Sequence, residues 1–388
     1  MSKTLGSMAG TAANSDYAKL QSEVIDFLRF PMIVQVLFVH NTFFNNLPKS
    51  DRLPLPLYTL SKDFFSHTLG HLAVPTFFFI SGFLFYLNCD KFDINTWLKK
   101  LKSRMRTLLV PYLFWNILAL VALYIAWHIP TLSSFFNKSF VSKFTWQYFL
   151  EALWALPDTK PEVIKYPVAY QFWFIRDLMV MVLLSPIVYY FVKKGRIIGI
   201  VLLGLLWFSE WWHTWIPWLA GYGLSADALF FFSAGAWFAI NKRNIVEDTD
   251  GIANVVFILY PSLALADVFT KLHAAGVDHV YLPFVHNLGI LVGVTAGFAL
   301  AAHLLRTGKV RIIPFLSSAS FFIFAAHEPL FLSALRKVIF VIFQPQSDMA
   351  LTTIYFLIVI VVVVVLLGVY WLLRRLLPGF TRGITAGR

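Results

Sequence analysis

Apolar runs of about twenty residues, separated by short polar loops, recur along the whole chain. A bilayer core needs about 20 apolar residues per helix. Ten segments meet or approach that length, near 27–46, 68–89, 107–128, 171–192, 197–215, 226–241, 252–270, 282–304, 313–335 and 351–373. The sixth is short, and the ninth is interrupted by His327, Glu328 and Pro329. The pattern predicts an all-α, polytopic integral membrane protein with about ten transmembrane helices. It divides into an N-terminal tail (1–24), a transmembrane domain (25–376) and a C-terminal tail (377–388). The longest loop, from about 129 to 169, contains a candidate interfacial helix, FVSKFTWQYFLEALWAL, which reads as a cover lying on the membrane surface.

Charge then orients these spans. The tight basic clusters KKLKSRMR, KKGR, KR, RTGKVR and RR fall in alternate loops, whereas the basic residues of the intervening loops are scattered. Lys and Arg mark cytoplasmic loops, so both termini are expected in the cytoplasm. No internal repeat is evident, which argues against an inverted-repeat transporter.

Composition agrees and narrows the function classes. Apolar residues make up 59% of the chain and charged residues 13%, where soluble domains carry about 25% charged residues. Mean hydropathy is +0.70, and the 40 Phe, 13 Trp and 15 Tyr suit lipid-facing surfaces and interfacial belts. The net charge of +12 is dispersed between apolar segments rather than gathered on a soluble face, so no nucleic-acid partner is expected. A single cysteine, Cys89, excludes an internal disulfide and leaves no zinc-type spacing. No metal site is expected. The polar N-terminus lacks the apolar core of a signal peptide.

Polar groups at membrane depth carry the candidate chemistry. Arg29 and His40 lie eleven residues apart in DFLRFPMIVQVLFVHN. At about 100° per residue they share one helix face, roughly 16 Å apart along the axis. An intramembrane Arg costs at least about 2.5–3.5 kcal/mol on insertion scales and marks a functional site by default. Asp26, one turn before Arg29, is placed to pair with it. The loop KFDINTWLKKLKSRMRTLLVPY holds Lys102, Arg104 and Arg106 in the densest basic run, a phosphate-binding composition that topology alone would also produce. Ser81 and Gly82 are small residues of the kind that let helices approach. Arg176 and Asp177, adjacent in QFWFIRDL, are expected to point about 100° apart and pair with different neighbours. Glu210, His327 and Glu328 add titratable groups toward the opposite end, so a polar cavity is expected there.

These motifs resemble the membrane acyltransferase-3 family along residues 23 to 373. DFLRFPMIVQVLFVHN, with Arg29–x10–His40, looks like its first helix. FFFISGFLFY around Ser81 resembles its second, SRMRTLLVPYLFWN its basic loop and third helix, FWFIRDLMVMVLLSPI its fourth, and ASFFIFAAHEPL its late helix ending in a His. The resemblance implies transfer of an acyl group, usually acetyl, from cytosolic acyl-coenzyme A to a hydroxyl of an extracytoplasmic carbohydrate or glycolipid. Acyl-CoA would be a substrate, with no permanently bound cofactor, and the protein would lie in the inner (cytoplasmic) membrane. His40 and Arg29 match the family's essential pair, and Lys102, Arg104 and Arg106 fall where it often has Arg-x-x-Arg, a spacing this chain lacks. Ser81, Arg176, Asp177, Glu210, His327 and Glu328 are candidates for substrate binding. An imidazole near neutral pKa suits acyl transfer either as base or as acyl carrier. The competing class is a transporter or flippase for an anionic or sugar-linked substrate. Basic residues at one end of helix 1 and a His at the other favour an enzyme fed from both faces.

Overall fold

The structure, a computed structural model, describes residues 2–42, 56–89, 91–129, 145–155, 166–272 and 281–387. These residues are helical with no strand. The main elements are α1 (Ser2–His40), α2 (Pro56–Tyr86), α3 (Ile94–His128), α4 (Trp146–Ala152), α5 (Tyr170–Leu183) and α6 (Ser185–Phe208). They continue with α7 (Ala226–Ile240), α8 (Ala253–Leu272), α9 (Tyr281–Arg306), α10 (Pro314–Phe343), α11 (Asp348–Leu376) and α12 (Pro378–Ile384).

A helix occupies each of the ten predicted segments, but fewer qualify as unbroken spans. Among the described residues, six helices are long and apolar enough to cross a membrane: α2, α3, α8, α9 from Pro283, α10 and α11. Treating α5 and α6 as one bent span, with 68° between them, gives up to seven. The other segments fall short for physical reasons. In α1 the last 18 residues hold Glu23, Asp26 and Arg29. Helix α7 has only 15 residues. Within α6 the backbone breaks at Arg196 (φ 49°, ψ −139°), in the KKGR stretch where the sequence puts a loop between two spans. Helix α1 also runs back to Ser2, through the stretch read as a tail. Of the candidate interfacial helix, α4 is helical and tied to the bundle, with Tyr112 Oη donating to Leu153 O at 2.6 Å and Val168 N to Ala152 O at 2.8 Å. Residues 140–144 and 156 of that motif lie outside the described residues.

Helices α2 and α7 make the closest approach, and glycine permits it. A Cβ on Gly82 would lie 2.0 Å from the Phe232 carbonyl oxygen, and one on Gly235 2.0 Å from that of Phe79. Small residues are the usual means of close helix contact in membranes. Because both obstructing atoms are backbone, Gly82→Ala must push the helices apart. We expect it to lower stability by about 1–3 kcal/mol, the usual cost of overpacking, read as a fall in Tm of the detergent-purified protein. An unchanged Tm would show that the contact is slack.

Each end of the bundle has its own polar lock. At the end carrying the basic clusters, Arg306 pairs with Asp250 at 2.5 Å and stacks over Tyr17, while Gln21 Oε1 accepts from Ile245 N at 2.6 Å. At the His40 end, Asp348 accepts from Leu57 N and Tyr58 N, both at 2.8 Å. There Ser66 Oγ donates to Phe38 O, and Asn41 Nδ2 donates to Tyr355 O at 2.7 Å. Helix α1 is thereby held near both ends of its membrane part, which fixes the height of Arg29 and His40 within the bundle.

Candidate active site

A partly open cavity of about 290 Å³ runs along α1. Arg29, Ile33, Val36 and His40 line it from α1. Their spacings of four, three and four residues put them in one stripe, so the face predicted from the sequence is the face that lines the cavity. Helix α2 contributes Val74, Phe77, Ile80, Ser81 and Leu84 at the same helical spacing, α5 contributes Phe174, Leu178 and Val182, and α10 contributes Ser320, Phe321 and Phe324. The walls between the two ends are therefore mostly apolar.

Cations gather at one end. Arg29 Nη1 lies 2.8 Å from Asp26 Oδ1, the pairing expected from their spacing. Arg104 lines the cavity with Thr107 and Leu108 at the start of the apolar part of α3. Lys102 and Arg106 do not: both are exposed. Positions two apart on a helix lie on nearly opposite faces, so with Arg104 toward the cavity Lys102 and Arg106, which share the other face, turn away from it.

A cluster of rings and carbonyls builds the other end. The His40 ring centroid is 5.1 Å from that of Tyr170, edge-on at 72°, and 5.3 Å from that of His327. His327 Nδ1 faces Phe324 O at 2.7 Å and Ile323 O at 3.2 Å. Carbonyl oxygens only accept, so Nδ1 carries a hydrogen. In the neutral ring Nε2 then holds a lone pair, and this buried atom has no hydrogen-bond partner. Helix α10 opens immediately afterwards, at Glu328 (φ −131°, ψ 159°). Ser333 Oγ lies 2.9 and 2.8 Å from the two Glu328 carboxylate oxygens. Gln171 bridges the opening, its Nε2 donating to Ala325 O at 3.1 Å and to Glu328 O. Its amide is thus fixed, and Oε1, in a side chain that lines the cavity, is buried without a partner. Arg336 closes the region by donating to His40 O at 3.1 Å and Thr42 O at 2.7 Å.

Two sequence expectations are corrected. Arg176 and Asp177 pair with each other: Nε and Nη2 both lie 3.2 Å from Asp177 Oδ1. Adjacent helix positions do diverge, but the long Arg side chain curls back to its neighbour. Arg176 also donates to Trp154 O (3.1 Å), Gly221 O (2.9 Å) and Ala220 O (2.7 Å). It is a fully buried staple for two loops and does not line the cavity. Glu210 also stands apart, accepting from Asn287 Nδ2 at 3.1 Å. Of the remaining candidates, Ser81 lines the cavity; His327 and Glu328 do not, His327 packing against the His40 ring and Glu328 standing at the break of α10.

Sequence reasoning missed Tyr170, Gln171 and Arg336. It also missed a second buried cluster that stands off the cavity. Asp267 Oδ2 receives Thr68 Oγ1 and Lys271 Nζ, each at 2.6 Å, with His286 Nδ1 at 3.2 Å. His286 Nε2 in turn meets His71 Nδ1 at 2.9 Å. With this carboxylate oxygen so surrounded, the cluster pins α2, α8 and α9 together.

Helices of this length and apolarity, joined through one bundle, make the chain a multi-pass membrane protein. Residues 23–373 match the acyltransferase-3 family, described as an acyltransferase domain, and the chain belongs to that family. It is similar to the succinoglycan biosynthesis protein ExoH of Rhizobium meliloti (strain 1021), with 26% identity over 373 residues, covering 94% of this chain and 92% of the relative. No solved structure matches the chain.

Proposed function

We propose that this membrane acyltransferase takes an acyl group, acetyl in the simplest case, from acyl-coenzyme A on the cytosolic side of the inner membrane. It delivers that group to a hydroxyl of a carbohydrate on the opposite side. The observation that carries this reading is one continuous cavity lined by Arg29 and Arg104 and, roughly 16 Å from Arg29 along α1, by His40. A long, thin, largely uncharged pantetheine arm with phosphates behind it suits such a shape: cations at the mouth, apolar walls, a base at the far end. The basic clusters favour placing the Arg29 end in the cytosol. The carbohydrate acceptor is favoured by the relative's part in succinoglycan biosynthesis.

In the proposed step His40 takes the proton of the acceptor hydroxyl as its oxygen attacks the thioester carbonyl. The new C–O bond forms, the C–S bond breaks, and the thiolate leaves to be protonated with the proton His40 removed. The products are the acylated carbohydrate and free coenzyme A. Tyr170 and His327 hold the imidazole between them, and Arg336 fixes the backbone beneath it, which is the positioning that general-base catalysis needs.

Comparing two neighbouring arginines tests the donor end. Arg104→Ala should weaken acetyl-CoA binding about ten- to a hundredfold, the loss of one charge-assisted contact of roughly 1.5–3 kcal/mol. Arg106→Ala, exposed beside it, should remain close to wild type. Equal effects in both, measured by acetyl-CoA titration at low salt, would mean that the loop acts through bulk charge and that the donor does not seat in the cavity.

A further inference from the structure

The segment after α11 is folded into the bundle, although the sequence reads as a simple tail there. Helix α12 returns against α3: the rings of Phe380 and Phe114 meet edge-on at 5.5 Å, and Trp115 Nε1 donates to Ile384 O at 3.0 Å. Thr381, Ile384 and Thr385 are 1%, 5% and 0% exposed, values of a core rather than of a solvated end. The chain then turns sharply through Ala386 (φ 60°) and Gly387 (φ 81°), closed by Gly387 N donating to Arg382 O at 2.8 Å. A non-glycine residue in the left-handed region persists only where its surroundings hold it. The consequence is that Ala386 lines the same cavity as Arg104 and Thr107, and a Cβ on the next residue, Gly387, would lie 4.0 Å from Thr107 Cγ2.

We infer that Thr381–Ala386 forms part of the donor site, with Ala386 walling the mouth against which the phosphopantetheine arm of acyl-CoA lies. This rests on the proposed entry of the donor at the Arg104 end. Three features support it. The position lies on the cavity wall with Arg29 and Arg104, the Lys and Arg side chains that line it among the described residues. Its side chain is a single methyl group, so the mouth stays open there. The segment is also anchored on α3, the helix that carries Arg104, so wall and cation move together.

A thiol placed at this position tests the inference without removing any packing. Ala386→Cys is made in a Cys89→Ala background, since Cys89 is the chain's single cysteine, and the Tm of the purified protein checks the fold. The thiol is treated with a small sulfonated methanethiosulfonate, and acetyl-CoA binding is read as the concentration dependence of the thermal shift. We expect the reagent to weaken acetyl-CoA binding at least tenfold, reducing agent to restore it, and saturating acetyl-CoA to slow the labelling. Complete labelling with unchanged binding would overturn the inference, as would labelling that acetyl-CoA does not slow. A thiol that reacts only after denaturation would overturn it too. The Arg104→Ala variant separates the two levels. If Arg104→Ala weakens binding and the label does not, the donor reading stands and this inference fails. If neither does, the donor reading itself fails.

Discussion

His40→Ala is expected to lose between about a hundred and ten thousandfold in acyl transfer, the range typical for removing a positioned general base, while the protein stays folded. The side chain projects into the cavity rather than into a packed helix contact, and its ring neighbours are Tyr170 and His327. The backbone carbonyl of His40, which Arg336 grips, is kept in the alanine variant. Truncation therefore enlarges an existing space instead of opening a new one, and the Tm should fall little. The assay is single-turnover release of coenzyme A from acetyl-CoA in membranes that contain the acceptor, with Tm recorded in parallel. A folded variant keeping more than about a tenth of the rate would remove His40 from the chemistry. His327 would then be the remaining imidazole at that end of the cavity.

The legible part of the site was the part governed by helix geometry. The Arg29–His40 face and the Asp26–Arg29 pair follow from residues per turn, and both hold in three dimensions. Contacts between helices far apart in sequence were not legible. Nothing in YQFWFIRDL shows that the Gln171 amide will bridge two carbonyls of α10, or that Tyr170 will face a histidine on α1. Arg336 did leave a signal. The apolar pattern LSALRKVIF continues beyond residue 335, and α10 runs to Phe343. Extending the ninth segment accordingly makes Arg336 a third arginine within a predicted span, after Arg29 and Arg176, which is the same flag that singles out Arg29. Helix periodicity also misled at Arg176–Asp177, because it describes where the Cβ atoms point and says nothing of a side chain long enough to fold back on its neighbour.

Replacing Arg29 and Arg104 together should be the most damaging change at the donor end. Among the described residues they are the two Lys or Arg side chains on the cavity wall, and they come from different helices, α1 and α3. Contacts made to separate parts of one ligand from separate elements tend to add. At roughly 1.5–3 kcal/mol for each charge-assisted contact, the double alanine variant should bind acetyl-CoA about a hundred to ten thousandfold more weakly. The fold should tolerate the loss. Removing Arg29 leaves Asp26, but that carboxylate is 44% exposed and stays hydrated, so no buried charge is stranded, the situation that makes broken ion pairs destabilising. Lysine at both positions separates charge from shape. It keeps the positive mouth but not the planar fork, so a bidentate grip on phosphate predicts partial rescue, whereas simple attraction predicts full rescue. Salt provides a second axis, since attraction from exposed charges is screened over about 10 Å at 0.1 M and a seated contact is screened less. If the double alanine variant binds acetyl-CoA within threefold of wild type at low salt, Arg29 and Arg104 serve insertion and topology, and the donor must enter elsewhere.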